Sequence, residues 1–451
     1  MSAVLSFCGL CFLLIIGKVL RMRLTFLQKL YLPSSVIGGV IGLIMLSVFP
    51  AGTFSRYTVS WASVPGFLIN IVFAALFLGV TIPNLKKIWR VTFPQLCYGQ
   101  ILAFAQYVVG VLVVFFILKP LYHVNDGFAG LIEVGFEGGH GTVSGLSSTF
   151  KELGWAEGTD LGLTMATIGM IAGGVIGMGL INLAVRKGWT KNIRLFQERP
   201  LHERQGVYPN HLQPEAGRQT VSSDSIDSFA LHIAIIGLAV IVGCIFKEGL
   251  ALLNTVMPQK IQDLKVFASF PLFPLCMIGG LLVQKIFTLL KVDYIIDHGT
   301  MQRLAGTALD FLVVSAIASI RLDFVLANWQ PIVIMAVFGI ILNVAGILVL
   351  APKIFTDAWF ERGIAEFGQS TGVTATGLLL LRTVDPDNET PAAEAFGYKQ
   401  LLHEPIMGGG IWTSIAIPLL ILNGLSFVFY FCSAMIILWV VFFLLWKKFS
   451  N

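Results

Sequence analysis

The stretch FEGGHGTVSGLSS, residues 136–148, lies in an apolar region near 127–150 and crowds Gly138, Gly139 and Gly141 into one short window. Each glycine costs a helix about 1 kcal/mol relative to alanine, so three so close predict a break. In lipid, backbone freed by a break has to face protein or a water-filled cavity, because each unsatisfied amide in hydrocarbon costs several kcal/mol. The window therefore predicts a broken helix that lines a site. A second interrupted segment, near 363–381, carries GQSTGVTATG at residues 368–377.

Around these windows the chain has the composition of a bilayer protein. Of 451 residues 56% are hydrophobic and only 12% charged, at a mean hydropathy of +0.82, which is more apolar surface than a soluble core of this size needs. Apolar runs near 3–20, 33–50, 65–83, 95–118 and 160–184 read as spanning helices in the first half. Runs near 228–250, 268–290, 304–320, 331–352 and 396–423 read the same way in the second, and a further run, 425–446, follows them. Lys18, Arg21 and Arg23 come after the first run rather than before it, so residues 3–20 read as a retained helix and not as a signal peptide. The formal net charge of +5 is carried by the links between runs, which argues against a nucleic-acid partner. The six cysteines are scattered through apolar stretches and predict neither a disulfide framework nor a tetrahedral metal site. His403 and Glu404 begin like a zinc-protease motif, but Met407 stands where its second histidine belongs. With no phosphate-binding loop either, neither an enzyme, a cofactor nor ATP-driven transport is expected.

The two halves resemble each other. LPSSVIGGVI at 32–41 lies opposite FPLCMIGGLL at 273–282, and HGTVSGL at 140–146 opposite GVTATGL at 372–378, in the same order. Links holding Lys18, Arg21, Arg23 and Lys29, then Lys86, Lys87 and Arg90, then Arg186, Lys187, Lys191, Arg194, Arg199 and Arg204 are strongly basic, whereas 51–64 and 119–126 carry one basic residue each. Basic links in the cytoplasm put the N-terminus outside and the C-terminal Lys447 and Lys448 inside, and an odd number of spans per half inverts the second repeat. The expected fold is an all-α polytopic membrane protein. It comprises two inverted five-span repeats (1–185 and 228–423), each with a re-entrant glycine-rich broken helix, joined by a cytoplasmic link, 186–227. An extra C-terminal span and basic tail occupy 424–451.

Thr142 and Ser144 follow the first break, and Thr374 and Thr376 take the equivalent places in the second. A short helix starting there would aim free amides and its positive dipole end at the break, which suits a carboxylate, while carbonyl and hydroxyl oxygens suit a sodium ion. Close packing of glycines is the alternative, and it is the reading given to Gly169, Gly173 and Gly177. His140 either satisfies a neighbouring polar group or meets substrate or a proton. Glu133, Glu137, Asp310, Glu366 and Arg382 lie in or beside apolar runs, where ionisable groups are costly. Asp310 reads as an ion ligand, a proton carrier or half of a structural pair, and Arg382 as a substrate contact or a border residue. Gln106 and Asn343 read as caps on broken helices or as links between spans.

On LPSSVIGG (32–39), EGGHGT (137–142), ATIGMIAGGVIG (166–177) and GVTAT (372–376), in that order, the chain resembles the bacterial sodium/glutamate symporter family up to about residue 423. The resemblance implies a sodium-coupled carrier of glutamate or a related small carboxylate in the cell inner membrane, a homodimer with an elevator-like motion. It also implies that Gly138, Gly139, His140, Gly141 and Thr142 in the first loop line the site, with Gly368, Gly372, Thr374 and Thr376 in the second. Gln369, Ser370 and Thr371 fall between the matched positions. The chain departs from the family pattern at GQSTG (368–372), at Glu366 and at MGGGIWTSI (407–415). A passive channel or uniporter of the same fold, and a membrane-embedded sensor or scaffold, are the competing readings.

Overall fold

A computed structural model describes residues 2–29, 32–48, 55–80, 85–190, 200–213, 215, 217–257, 271–385 and 389–450; Lys191, Arg194 and Arg199 of the basic link lie outside them. All regular structure among the described residues is helical, and eight of these helices are long and apolar enough to cross a membrane.

Local chemistry sets the boundaries. Asp227 caps Ser228–Val256 by accepting from the amides of Phe229 and Ala230, and Gly188 ends Gly158–Lys187 in the left-handed conformation. Asp297 caps His298–Ala318. Partial burial pushes its carboxyl up, but the Thr300 amide and hydroxyl and the Arg218 amide outweigh this and hold it below the usual carboxylate range. The run 95–118 is one long rod, Leu85–Val113 continuing through a π turn, Val114–Leu118, into Lys119–Tyr122.

One expected span is corrected. Residues 396–423 do not form a single helix but two, Ala392–His403 and Ile411–Asn423. Between them Gly408 and Gly409 take φ of +65° and +115°, so the glycine run in MGGGIWTSI breaks this helix as the first glycine window breaks its own.

The chain halves do not form separate bodies. Ser2–Arg23, Ser34–Val48 and Ser55–Ala75 pack with Ser228–Val256, Leu272–Leu289 and His298–Ala318, sharing apolar clusters around Leu13, Trp61 and Val314 and around Ala74, Ala239 and Met301. A second bundle gathers around the Leu85–Val113 rod, against which Trp329–Ala345, Ala392–His403 and Leu425–Ser450 pack. It also holds both interrupted segments and Gly158–Lys187. The bundles meet where Gly139–Gly145 lies against Ser55–Ala75 and His298–Ala318.

The central rod depends on a glycine approach. A Cβ at Gly110 would lie 2.0 Å from the carbonyl oxygen of Ala129, a backbone atom that has to shift to admit it. Gly110→Ala is expected to destabilise the fold by about 1–3 kcal/mol. A lower melting midpoint of the detergent-solubilised protein would show it, and an unchanged midpoint would refute the packing argument.

Candidate functional site

Each interrupted segment doubles back on itself. In the first, short helices at Asp126–Gly130 and Glu133–Glu137 lead to a break at Gly139, φ +70°, after which Gly139–Gly145 and Ser147–Glu152 return. The return brings Trp155 onto Phe128, ring centroids 5.8 Å apart, and over Gly127. In the second, Trp359–Val384 is broken at Gly372 and Val373, whose backbone is non-helical. A Cβ on Gly368 would lie 2.6 Å from the Gly377 Cα, a proximity that an unbroken helix cannot give residues nine positions apart. The two hairpins meet tip to tip, since a Cβ on Gly139 would lie 2.3 Å from Val373 Cγ1.

Polar side chains from neighbouring helices converge on these tips. Gln106 and Asn343 both donate to the Ser370 carbonyl, at 2.7 and 2.6 Å, and Asn343 also donates to Thr371 Oγ1 at 3.1 Å, which satisfies carbonyl and hydroxyl oxygens beside the break. Lys399 Nζ, fully buried, donates to Glu366 Oε1 at 2.7 Å and to Gln369 Oε1 at 3.0 Å, and Gln95 donates to Glu366 Oε2 at 3.0 Å. Gln369 reaches on to Glu137 Oε1, linking the hairpins. Glu137 also accepts from His403 Nε2, because Gln100 Nε2 donates to the other ring nitrogen and makes it the acceptor. Glu133 is satisfied by three donors: the Tyr107 hydroxyl at 2.5 Å, the Gly408 amide at 2.9 Å and the Thr413 hydroxyl at 2.7 Å.

Two cavities flank the hairpins. One, of about 520 Å³, is lined by Thr374, Gln400 and Glu404 together with His298. The other, of about 290 Å³, is lined by Ser144, Lys151, Asp160 and Arg321 together with Ala316 and Ser319. They therefore lie at opposite ends of His298–Ala318, a helix about 30 Å long.

Among the residues singled out from sequence, Gly138 to Thr142 and Ser144 are gathered at the first tip, and Gly368 to Gly372, Thr374 and Thr376 at the second. His140 Nε2 donates to Thr167 Oγ1 at 2.9 Å, and Thr142 donates to the Gly408 carbonyl at 3.2 Å. Thr374 donates to Glu404 and accepts from Gln400. Gly169, Gly173 and Gly177 pack on the second hairpin, against Thr371, Thr376 and Leu380. Two residues fall elsewhere. Asp310 sits on His298–Ala318 in the other bundle, where its side chain is hydrogen-bonded to Ser35, and Arg382 is exposed near the base of the second hairpin. Sequence reading misses Lys399, because 396–423 reads as one apolar span, and meets His403 and Glu404 only as an incomplete zinc-protease motif. Their signal was present in KQLLHE at 399–404, where Lys399 and His403 stand one turn apart on one face.

Lys399→Met strands the Glu366 carboxylate without its cation and is expected to cost about 3–5 kcal/mol, seen as loss of folded, monodisperse protein. Combining it with Glu366→Gln is expected to restore most of the yield. A double variant no better than the single one would refute the pairing.

The sodium/glutamate symporter model matches residues 1–361, taking in the first hairpin and ending at the start of the second. The sodium/glutamate symporters of Escherichia coli (strain K12) and Shigella flexneri are each 26% identical to it over 245 residues, which cover 53% of this chain and 56% of theirs. The chain thus spans about half the length of the curated relatives it matches. No solved structure matches it. On the extent of the family match, the chain belongs to the sodium/glutamate symporter family.

Proposed function

We propose that this protein is a sodium-coupled secondary transporter of glutamate or a related small carboxylate, working by alternating access. The observation that carries the reading is the contact of the hairpin tips, Gly139 against Val373, between polar cavities at opposite ends of one helix. A substrate held at the tips is thereby separated from each side by one layer of protein, the arrangement that alternating access requires. The same closure argues against a passive channel. The Ser370 hydroxyl, which has no hydrogen-bond partner among the described residues, and the hydroxyls of Thr142, Thr371 and Thr374 offer the hard oxygen ligands that sodium prefers, and the relatives are named for sodium and glutamate.

The proposal includes an elevator-like motion, with the Ser2–Arg23 bundle as the fixed frame and the hairpin bundle as the moving part. Where the bundles meet, the hairpin side is smoothed by glycine. A Cβ at Gly141 would lie 2.9 Å from Ile69 Cδ1, and one at Gly145 would lie 2.4 Å from Phe273 Cδ1. Large side chains on the frame thus face a surface without knobs to lock against. The proposal further takes the basic links as cytoplasmic, so that the N-terminus and the Ser144 cavity are external, the first hairpin re-enters from outside and the second from the cytoplasm. The two repeats, 1–185 and 228–423, are inverted in it, and the working unit is a homodimer.

In proteoliposomes, L-glutamate is expected to accumulate only under an inward sodium gradient; accumulation indifferent to sodium would overturn the coupling. Thr142→Val and Thr374→Val are each expected to lower sodium-driven uptake at least about tenfold while leaving the protein folded, the loss of one buried polar contact being about 1–3 kcal/mol. Unchanged uptake in both variants would remove the hydroxyls from the site.

A further inference from the structure

The two cavities differ in charge. The 290 Å³ cavity is lined by two cations, Lys151 and Arg321, and one carboxylate, Asp160. Arg321 and Asp160 cancel, joined through Nε at 3.0 Å and Nη2 at 2.8 Å, with the Arg321 amide also donating to Asp160 at 2.9 Å. The exposed ammonium of Lys151 remains as a surplus positive charge. The 520 Å³ cavity is lined by Glu394 and Glu404 and by no lysine or arginine. His298, the one histidine on this lining, donates from Nδ1 to the Leu78 carbonyl and pairs through Nε2 with Gln302.

The positive cavity also holds an unanswered polar group. Ser144 and Thr159 are lining residues; Ser144 is 3% exposed, and neither Ser144 Oγ nor Thr159 Oγ1 has a hydrogen-bond partner among the described residues. A buried hydroxyl without a partner costs about 1–3 kcal/mol, so this wall is built for a polar group that the protein itself does not supply. Two hydroxyl donors beside a surplus ammonium suit a carboxylate. The volume is near the lower limit of small-molecule sites, about 300 Å³, which matches a compact substrate.

We propose that the Ser144–Lys151–Thr159 cavity is a vestibule that binds a small carboxylate, and that the acidic cavity at the other end is built for its release, so that the transporter is electrically asymmetric toward an anionic substrate. The inference rests on the transport reading for its direction but not for the site itself. An anion is drawn toward the exposed Lys151 on one face and repelled by the exposed Glu394 on the other, with the half-buried Glu404 behind it, hydrogen-bonded to Thr374 and Gln400. Between exposed groups such forces are modest and fall away with salt over a Debye length of about 8 Å.

Two measurements separate this inference from the reading beneath it. The first is the KM for radiolabelled L-glutamate in right-side-out and inside-out vesicles at low ionic strength. KM is expected to be lower at the Lys151 face, and Lys151→Glu is expected to raise it there about three- to tenfold, reducing the ratio between faces, with Lys151→Gln intermediate and high salt erasing the effect. The second is thermal stabilisation of the solubilised protein by L-glutamate, expected to weaken in Lys151→Glu and in Ser144→Ala. Sodium-driven uptake with an unaltered ratio in Lys151→Glu would overturn the vestibule and leave the transport reading standing. Stabilisation that depends on Lys151, without uptake under any gradient, would keep the site and overturn the transport reading. Neither stabilisation nor uptake would overturn both.

Discussion

A lysine ammonium at full burial survives only if its desolvation is met by a carboxylate in good geometry with further hydrogen bonds around the pair. Lys399 meets these terms with Glu366 and Gln369, while Gln95 answers the second carboxylate oxygen. The central rod gives the pair room through Gly99, where a Cβ would lie 2.5 Å from Lys399 Cε and 2.6 Å from Glu366 Oε1. Three elements thereby become one: the Leu85–Val113 rod, the first arm of the second hairpin and the Ala392–His403 helix. The first hairpin joins through Gln369 and Glu137, and the break at 408–410 joins through Glu133. Apolar packing between helices gives little register in lipid, where hydrocarbon is as good a neighbour as leucine, so this polar lattice fixes how the broken pieces sit.

Much of this was legible in sequence, and for physical reasons. Glycine density marked the first break because no partner can make three glycines a good helix. Gln106 and Asn343 stood out because amides in apolar runs need partners, and they were found on the Ser370 carbonyl. What escaped was set by spacing across the fold. Asp310 stands out because its span is apolar, but depth along a helix does not say which way a residue faces, and it bonds to Ser35 in the frame bundle rather than joining the hairpins. Gly408, Gly409 and Gly410 carry the same signal as the first window, but their stretch is long enough to read as a span, and that reading hides Lys399.

The family match and the polar lattice divide the chain differently. The match ends at residue 361, while Glu366, Gln369, Lys399 and His403 all lie beyond it. The first hairpin and the frame helices fall within the matched part, as do Gln95, Gln106 and Asn343, whereas the second hairpin itself and its buried cation Lys399 do not. Family membership therefore speaks most directly to the first hairpin, and the chemistry of the second has to be read from its own side chains.

The meeting of Gly139 and Val373 has a mechanical consequence. At 2.3 Å from a would-be Cβ there is no slack between the tips, and Val373 is itself held at φ +64°, a region a β-branched residue occupies only under constraint, at a cost of about 1–3 kcal/mol. The tips bear directly on each other, and the Gln369 amide reaches Glu137 across them at 3.5 Å. On the transport reading proposed above, the pair would move as one cog rather than as two independent doors.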